Sequence, residues 1–134
     1  MRLLKVLVIE DNEDDCFLEE RQLRAAKFDV ETAPGGEEGL AKTLSWFPDV
    51  VLCDVNMTRQ NGYWYAEQVK TNKIIRHIPL IAITGHHGMF ADELLALEAG
   101  FDALLLKQQG RPLDLEKFRE LVTRLCRPLS LPPT

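Results

Sequence analysis

Five residues of this chain carry side chains suited to one kind of chemistry, and all five stand at the end of an apolar run. Glu10 and Asp11 close "LLKVLVIED", Asp54 closes "VVLCD", Thr84 closes "IPLIAIT" and Lys107 closes "ALLLK". One acid in such a place is usually a helix cap or a solvated turn. A set of three carboxylates, a hydroxyl and an amine is different, because the carboxyl ends of strands in an open α/β sheet form one rim, where ligands bind. At an effective dielectric of about 20, two carboxylates about 4 Å apart repel by about 4 kcal/mol. Three together therefore require protonation or a cation. Oxygen ligands in an open, partly hydrated site select Mg2+ over zinc, and the scattered cysteines and histidines offer no tetrahedral set. A carboxylate held against Mg2+ beside an ammonium and a hydroxyl is arranged for phosphoryl transfer, where positioning and charge neutralisation do most of the catalysis. Asp54 is the expected nucleophile: the apolar residues Val50 to Cys53 hold it rigid, and the loop ending at Asn61 and Gly62 leaves room for a phosphodonor.

The segments that must position these groups alternate between two periodicities. The near-continuous aliphatic run over residues 3–10 suits a strand covered on both faces. Asp14 or Asp15 can cap a helix with Leu18, Leu23 and Ala26 on its inner side, ending near Lys27, after which "DVETA" is a short strand. "GGEEGLAKTLSWF" places Leu40, Leu44 and Phe47 in helical phase, and Pro48 with Asp49 opens the strand that ends at Asp54. A third helix is expected from Tyr63 to Asn72, a strand at "IPLIAIT", a fourth helix from Ala91 to Ala99 and a strand at "ALLLK". Last comes "LDLEKFRELVTRLC", an amphipathic helix whose Leu115, Phe118, Leu121, Val122 and Leu125 should pack on the sheet, as should Trp64 and its neighbours Tyr63 and Tyr65. Strict strand–helix alternation with right-handed crossovers builds a parallel sheet with helices on both faces. The terminal "RPLSLPPT" reads as a frayed, extended tail.

Composition narrows the function classes. With 134 residues, 46% apolar and 28% charged, the chain suits a single globular domain. No apolar run approaches the length of about 18 residues that crosses a membrane, and acids stand where a signal peptide would be cut. Cys16, Cys53 and Cys126 are odd in number and widely spaced, which fits reduced core thiols of a cytoplasmic protein. A net charge of −5 without a Lys/Arg cluster argues against direct nucleic-acid binding.

The motifs "VLVIEDNEDD", "DVVLCDVNM" followed by Asn61 and Gly62, "IPLIAITG" and "EAGFDALLLK" resemble, in order and spacing, the receiver domain of two-component response regulators. This is the family of the single-domain chemotaxis regulator, and the likeness covers about residues 4–126. It implies a receiver domain over residues 1–127 with 128–134 as a Pro-rich tail. The implied fold is a three-layer α/β/α sandwich on a five-stranded parallel sheet of flavodoxin-like topology, in strand order 2-1-3-4-5. Asp54 would accept phosphate from a sensor histidine kinase or histidine phosphotransfer protein. Asp11 and Asp54 would bind Mg2+ directly, Glu10 mostly through water, and the Asn56 main-chain carbonyl would complete the set. Thr84 and Lys107 would bind phosphoryl oxygens. Movement of Thr84 toward the phosphate would bias the face formed by the fourth helix, fifth strand and fifth helix, where an effector protein docks. Such a protein hydrolyses its own aspartyl phosphate slowly and does not turn over external substrates. A homodimer formed on phosphorylation is compatible with this scheme.

Several positions depart from the family pattern. Leu104 replaces the aromatic switch residue, for which Phe101 is a candidate substitute, and Gln108 replaces the proline after the lysine. A cis peptide without proline costs about 3 kcal/mol, so that bond is expected to be trans. Thr58 replaces a loop proline, and Lys27 a helix-ending glycine. His86, two residues past Thr84, stands where the family tunes access of water to the phosphate, although His86 and His87 read first as plain loop residues. "DVNMT" partly resembles the signature of haloacid-dehalogenase-type phosphatases, but Asn56 cannot supply the proton that the second acid of that motif donates. A flavin binder of the same architecture is opposed by the five acids in "EDNEDD". The remaining alternative is a pseudo-receiver, a protein-interaction module without phosphorylation control, which Leu104 and Gln108 favour and the retained five-residue set opposes.

Overall fold

The aliphatic runs form strands and the 3.6-residue stripes form helices, in strict alternation. The computed structural model describes residues 2–55, 62–85, 90–107 and 113–130, with backbone alone at 90–93 and 127–130. In chain order the elements are β1 (Lys5–Ile9), α1 (Glu13–Ala25), β2 (Asp29–Ala33), α2 (Gly36–Trp46), β3 (Val50–Asp54), α3 (Gly62–Lys70), β4 (Leu80–Thr84), α4 (Phe90–Ala99), β5 (Ala103–Leu106) and α5 (Leu115–Ser130). The strands pair in parallel in the order β2-β1-β3-β4-β5. The expected fold class and strand order are therefore found.

Side chains alternate across a strand, so each strand divides its apolar residues between two cores. Leu7, Ile9, Val51, Cys53, Leu80 and Ala82 face the layer of α2, α3 and α4, where they meet Tyr65, Ala66, Val69 and Ala96. Val6, Val8, Val50, Leu52, Ile81 and Leu105 face α1 and α5, meeting Leu23, Phe118, Leu121 and Val122. Leu115 and Leu125 flank that second core, so the stripe read in the last helix is core. Tyr65 is fully buried and shares a 2.7 Å hydrogen bond with Thr43, while Tyr63 and Trp64 pack against the core from its margin.

Five readings of element phase and limits are corrected. The N-cap of α1 is Asn12, whose side chain accepts from the Asp15 amide at 3.0 Å, rather than Asp14 or Asp15. Those acids lie in the first turn, where they favour the positive end of the helix dipole. The inward residues of α1 are Glu19 and Leu23, and Leu18 is exposed, because a buried acid occupies the turn that an apolar residue was expected to fill. In α2 the inward side is Gly39, Leu40 and Thr43, and Leu44 and Phe47 face out, Phe47 as a left-handed C-cap. Leu3 and Leu4 precede the ladder, which begins where Lys5 pairs with Asp29. α5 runs on to Ser130, past the residue at which the tail was expected to start.

The turn after α1 solves the missing glycine. Lys27 adopts φ 72°, the Lys27 amide donates to Arg24 O and the Phe28 amide to Leu23 O, both at 3.0 Å. This is a Schellman motif, and Phe28 joins Leu23 in the core as its hydrophobic contact.

Candidate functional site

The strand ladder brings the five chemical residues to one rim. Ile9 pairs with Cys53, Asp54 with Ile83, and Thr84 with Leu106, so Glu10, Asp54, Thr84 and Lys107 end neighbouring strands. Main-chain hydrogen bonds tie this edge together: Glu10 N to Ala33 O at 3.0 Å, Val55 N to Ile83 O at 3.1 Å and Lys107 N to Thr84 O at 2.7 Å. The two-residue period also sets direction. Glu10 continues the phase of Val6 and Val8, Asp54 that of Val50 and Leu52, and Lys107 that of Ala103 and Leu105, which is the phase of the α1/α5 side in each strand.

Glu10, Asp11 and Asp54 each offer one carboxylate oxygen, and these oxygens lie within 4.8 Å of one another. Glu10 and Asp54 are buried, Asp11 half-buried. Lys107 reaches into the same group. Its Nζ lies 2.9 Å from Glu10 Oε1, 2.6 Å from Asp15 Oδ2 and 3.6 Å from Asp54 Oδ2. The second oxygen of Glu10 accepts from the Asn12 amide at 3.2 Å, which links the end of β1 to the helix cap. Thr84 is buried at the end of β4.

The electrostatics follow from burial and crowding. Burial raises the pKa of the Glu10 carboxyl above the usual carboxylate range, and the hydrogen bond and charge of Asp54 raise it further, against the opposing pull of Lys107. Burial alone would lower the pKa of Lys107, but its hydrogen bonds to Asp15 and Glu10, with the charges of Glu10 and Asp54, outweigh this and raise it. Lys107 is the cation that the structure sets among these acids, a divalent ion would offset their repulsion further, and an all-oxygen donor set suits a hard ion such as Mg2+. The set can bind a cation and present one carboxylate, next to an amine, to an incoming electrophile.

Gly62 fixes how α3 begins against this edge. A Cβ at this position would lie 2.8 Å from the Asp54 carbonyl oxygen and 3.0 Å from Val55 Cα, both backbone atoms, so only glycine lets the helix approach the end of β3 this closely.

Two acids of α1 were not expected here. Asp15 pairs with Lys107, and Glu19, one turn further on, is buried with its Oε1 lacking a hydrogen-bond partner. Burial raises the Glu19 carboxyl to about 7 despite the opposing charge of Lys107. Spacing could have revealed both, since Asp11, Asp15 and Glu19 recur every fourth residue, along one face of a helix. Asn56, Thr58, Asn61, His86, His87 and Gln108 lie outside the described residues. Leu104 packs against the core at the level of Ala82. Phe101 does not replace an aromatic switch near Thr84: it precedes Ala103, which pairs with Ile81, and is buried toward the other end of the sheet. None of the three cysteines forms a disulfide, and of the three only Cys53 is fully buried.

Comparison with known proteins agrees with this geometry. The family model of the response regulator receiver domain matches residues 6–121. Response regulator PleD of Caulobacter vibrioides is 34% identical over 103 residues, covering 77% of this chain and 22% of the relative, so the chain spans about a fifth of that relative's length. Protein PilG of Pseudomonas aeruginosa is 32% identical over 104 residues, covering 78% of this chain and 76% of the relative. Among solved structures, the CheY-like response regulator receiver domain protein from Methanospirillum hungatei has a TM-score of 0.80 at 26% identity, covering 94% of this chain and 98% of the other.

Proposed function

The chain belongs to the response regulator receiver family, and from that premise we propose that it is a phosphorelay response regulator whose Asp54 accepts a phosphoryl group. The observation that carries this reading is the meeting of Glu10, Asp11 and Asp54 within 4.8 Å, beside a lysine from a third segment. An Asp54 carboxylate oxygen attacks phosphorus in line, and the new P–O bond forms as the bond to the donor breaks. For a sensor histidine kinase or phosphotransfer protein as donor, that is the P–N bond of a phosphohistidine, and the imidazole leaves. Asp54 is held for this attack by a strand buried along its whole length, and Lys107, already 3.6 Å from Asp54 Oδ2, neutralises the arriving charge. Thr84 supplies a hydroxyl to a phosphoryl oxygen from the neighbouring strand. Glu10, Asp11, Asp54 and the main-chain carbonyl of Asn56 are the residues that would hold Mg2+. When bound, that ion supplies the positive charge that lets the three carboxylates stay ionised together and screens the phosphoryl oxygens.

The phosphoprotein then signals to an effector protein through a change in conformation and acts on no external substrate. The pseudo-receiver alternative is not favoured, because it gives no reason for an acid cluster with its lysine to be assembled at the cost of burying Glu10 and Asp54. Among the described residues no helix is long and apolar enough to cross a membrane, and a cytoplasmic site of action fits a kinase donor. The test is incubation with Mg2+ and acetyl phosphate followed by intact-protein mass. One phosphoryl adduct on the wild type, absent from Asp54→Ala and from samples with chelator, is the expected result. An unmodified wild type, or equal modification of Asp54→Ala, refutes the proposal.

A further inference from the structure

Lys107 is shared among three carboxylates, and its shortest contact is to Asp15 at 2.6 Å, an acid outside the cation-binding cluster. The other two partners, Glu10 at 2.9 Å and Asp54 at 3.6 Å, both belong to that cluster. A divalent cation on Glu10, Asp11 and Asp54 would take up the charge of the two acids on which the ammonium also depends, and would repel the ammonium at close range. Among the described residues, Asp15 is the contact of Lys107 that this competition leaves intact. It sits in the first turn of α1, one helical turn after Asp11, anchored by its own amide to the Asn12 cap, so its carboxylate is offered from a fixed element. Its side chain is 36% exposed against 8% for Asp54, so the lysine can withdraw toward solvent without losing a counter-charge.

We propose that Asp15 is a positioning residue, a holding site that keeps the Lys107 ammonium when a divalent cation occupies the acid cluster and yields it when Asp54 carries a phosphoryl group. The inference rests on the phosphoacceptor reading above and deepens it. The two charges compete in opposite senses. With the metal, Asp15 draws the lysine away from shared ligands and favours cation binding. With the phosphoryl group, Asp15 contends for the same ammonium and opposes phosphoryl binding. A residue that only stabilised the fold would move both in one direction.

Calorimetric titration of Mg2+ into the unphosphorylated full chain should therefore show Asp15→Asn weakening affinity by about two- to five-fold, the range of a partly exposed ion pair. At saturating Mg2+, the same variant should bind the phosphoryl analogue beryllium trifluoride about two- to five-fold more tightly than the wild type. Asp15→Glu, which keeps the charge, should restore both values. In a Lys107→Gln background, Asp15→Asn should leave Mg2+ affinity unchanged, because the effect acts through the lysine. Changes of the same sign for both ligands, or an undiminished Mg2+ effect without Lys107, would overturn the inference. Thermal unfolding of each variant separates loss of fold from loss of coupling. A wild type that accepts phosphate while Asp15→Asn binds both ligands as the wild type does refutes this inference alone. A wild type that accepts none refutes the function itself.

Discussion

Replacing Glu19 by Gln should shift the pH dependence of folding, because the native fold opposes the charge of this carboxyl. The side chain is buried, one of its oxygens has no hydrogen-bond partner, and the acids Asp15 and Asp54 add repulsion that Lys107 only partly offsets. The carboxyl is raised from 4.5 to about 7. At about 1.4 kcal/mol per pH unit, that shift corresponds to about 3 kcal/mol between the protonated and ionised limits. Because the folded-state value lies above the unfolded one, the favourable contribution is complete below the unfolded value and is lost as pH rises through about 7. Gln has the same shape and does not titrate. Any constant cost of burying its amide therefore offsets the comparison equally at every pH, and Glu10 titrates alike in both proteins. Urea unfolding in the presence of chelator, at about pH 5.5 and about pH 8.5, should move the stability difference by about 2 kcal/mol in favour of Glu19→Gln at the higher pH. Two-state transitions with unchanged urea slope would confirm that the native state is what differs. A difference that stays the same at the two pH values would refute the reasoning, since it would mean that the fold tolerates the ionised group as well as water does.

The fold makes further demands that can be measured. Gly62→Ala would press a methyl group onto the Asp54 carbonyl and Val55 Cα, and neither backbone atom can turn aside. It should lower stability by about 1–3 kcal/mol and slow phosphorylation of Asp54 by acetyl phosphate, and wild-type melting with a wild-type rate would count against the tight-approach argument. Lys27→Gly should raise the melting temperature, by an amount equivalent to about 1 kcal/mol or less, because Lys27 holds φ 72°, a conformation glycine adopts without strain. Lys27→Ala keeps the Cβ and should not do so, and equal effects from the two substitutions would exclude backbone strain as the cause.

The central strands were legible because a sheet buried on both faces leaves little room for polar residues, as in the "VVLCD" of β3, whose start was placed one or two residues early at Pro48 and Asp49. The edge strand β2 matches "DVETA" residue for residue with only Val30 and Ala33 buried. The helices were legible in number but less so in phase. In α1 the inward turn is filled by Glu19, so a pattern that scores apolar residues selects Leu18 instead, one position and about 100° away. In α2 the inward side is built from small or polar residues, Gly39 and Thr43, where a Cβ on Gly39 would lie 2.4 Å from Ile9 Cδ1. The helix is pulled close to β1 by lacking side chains, which hydrophobic pattern cannot register. For the site, the end of each strand was enough to gather Glu10, Asp11, Asp54, Thr84 and Lys107 on one rim. Asp15 escaped because helix capping was a sufficient explanation for an acid at that place, and its pairing with Lys107 joins residues 92 positions apart that only the completed sheet brings together.

That separation has a consequence for how the site comes into being. The contact between Lys107 and Glu10 spans 97 residues, and the acid on β3 comes from the middle of that interval, so no local segment contains a working fragment of the chemistry. A nascent chain that has not yet supplied β5 carries the acids of the cluster but not the lysine that meets them. Acquisition of phosphate by Asp54 would thus report that the last strand has docked, and proteolytic nicking between α3 and β5 should abolish the reaction unless the two pieces find each other again.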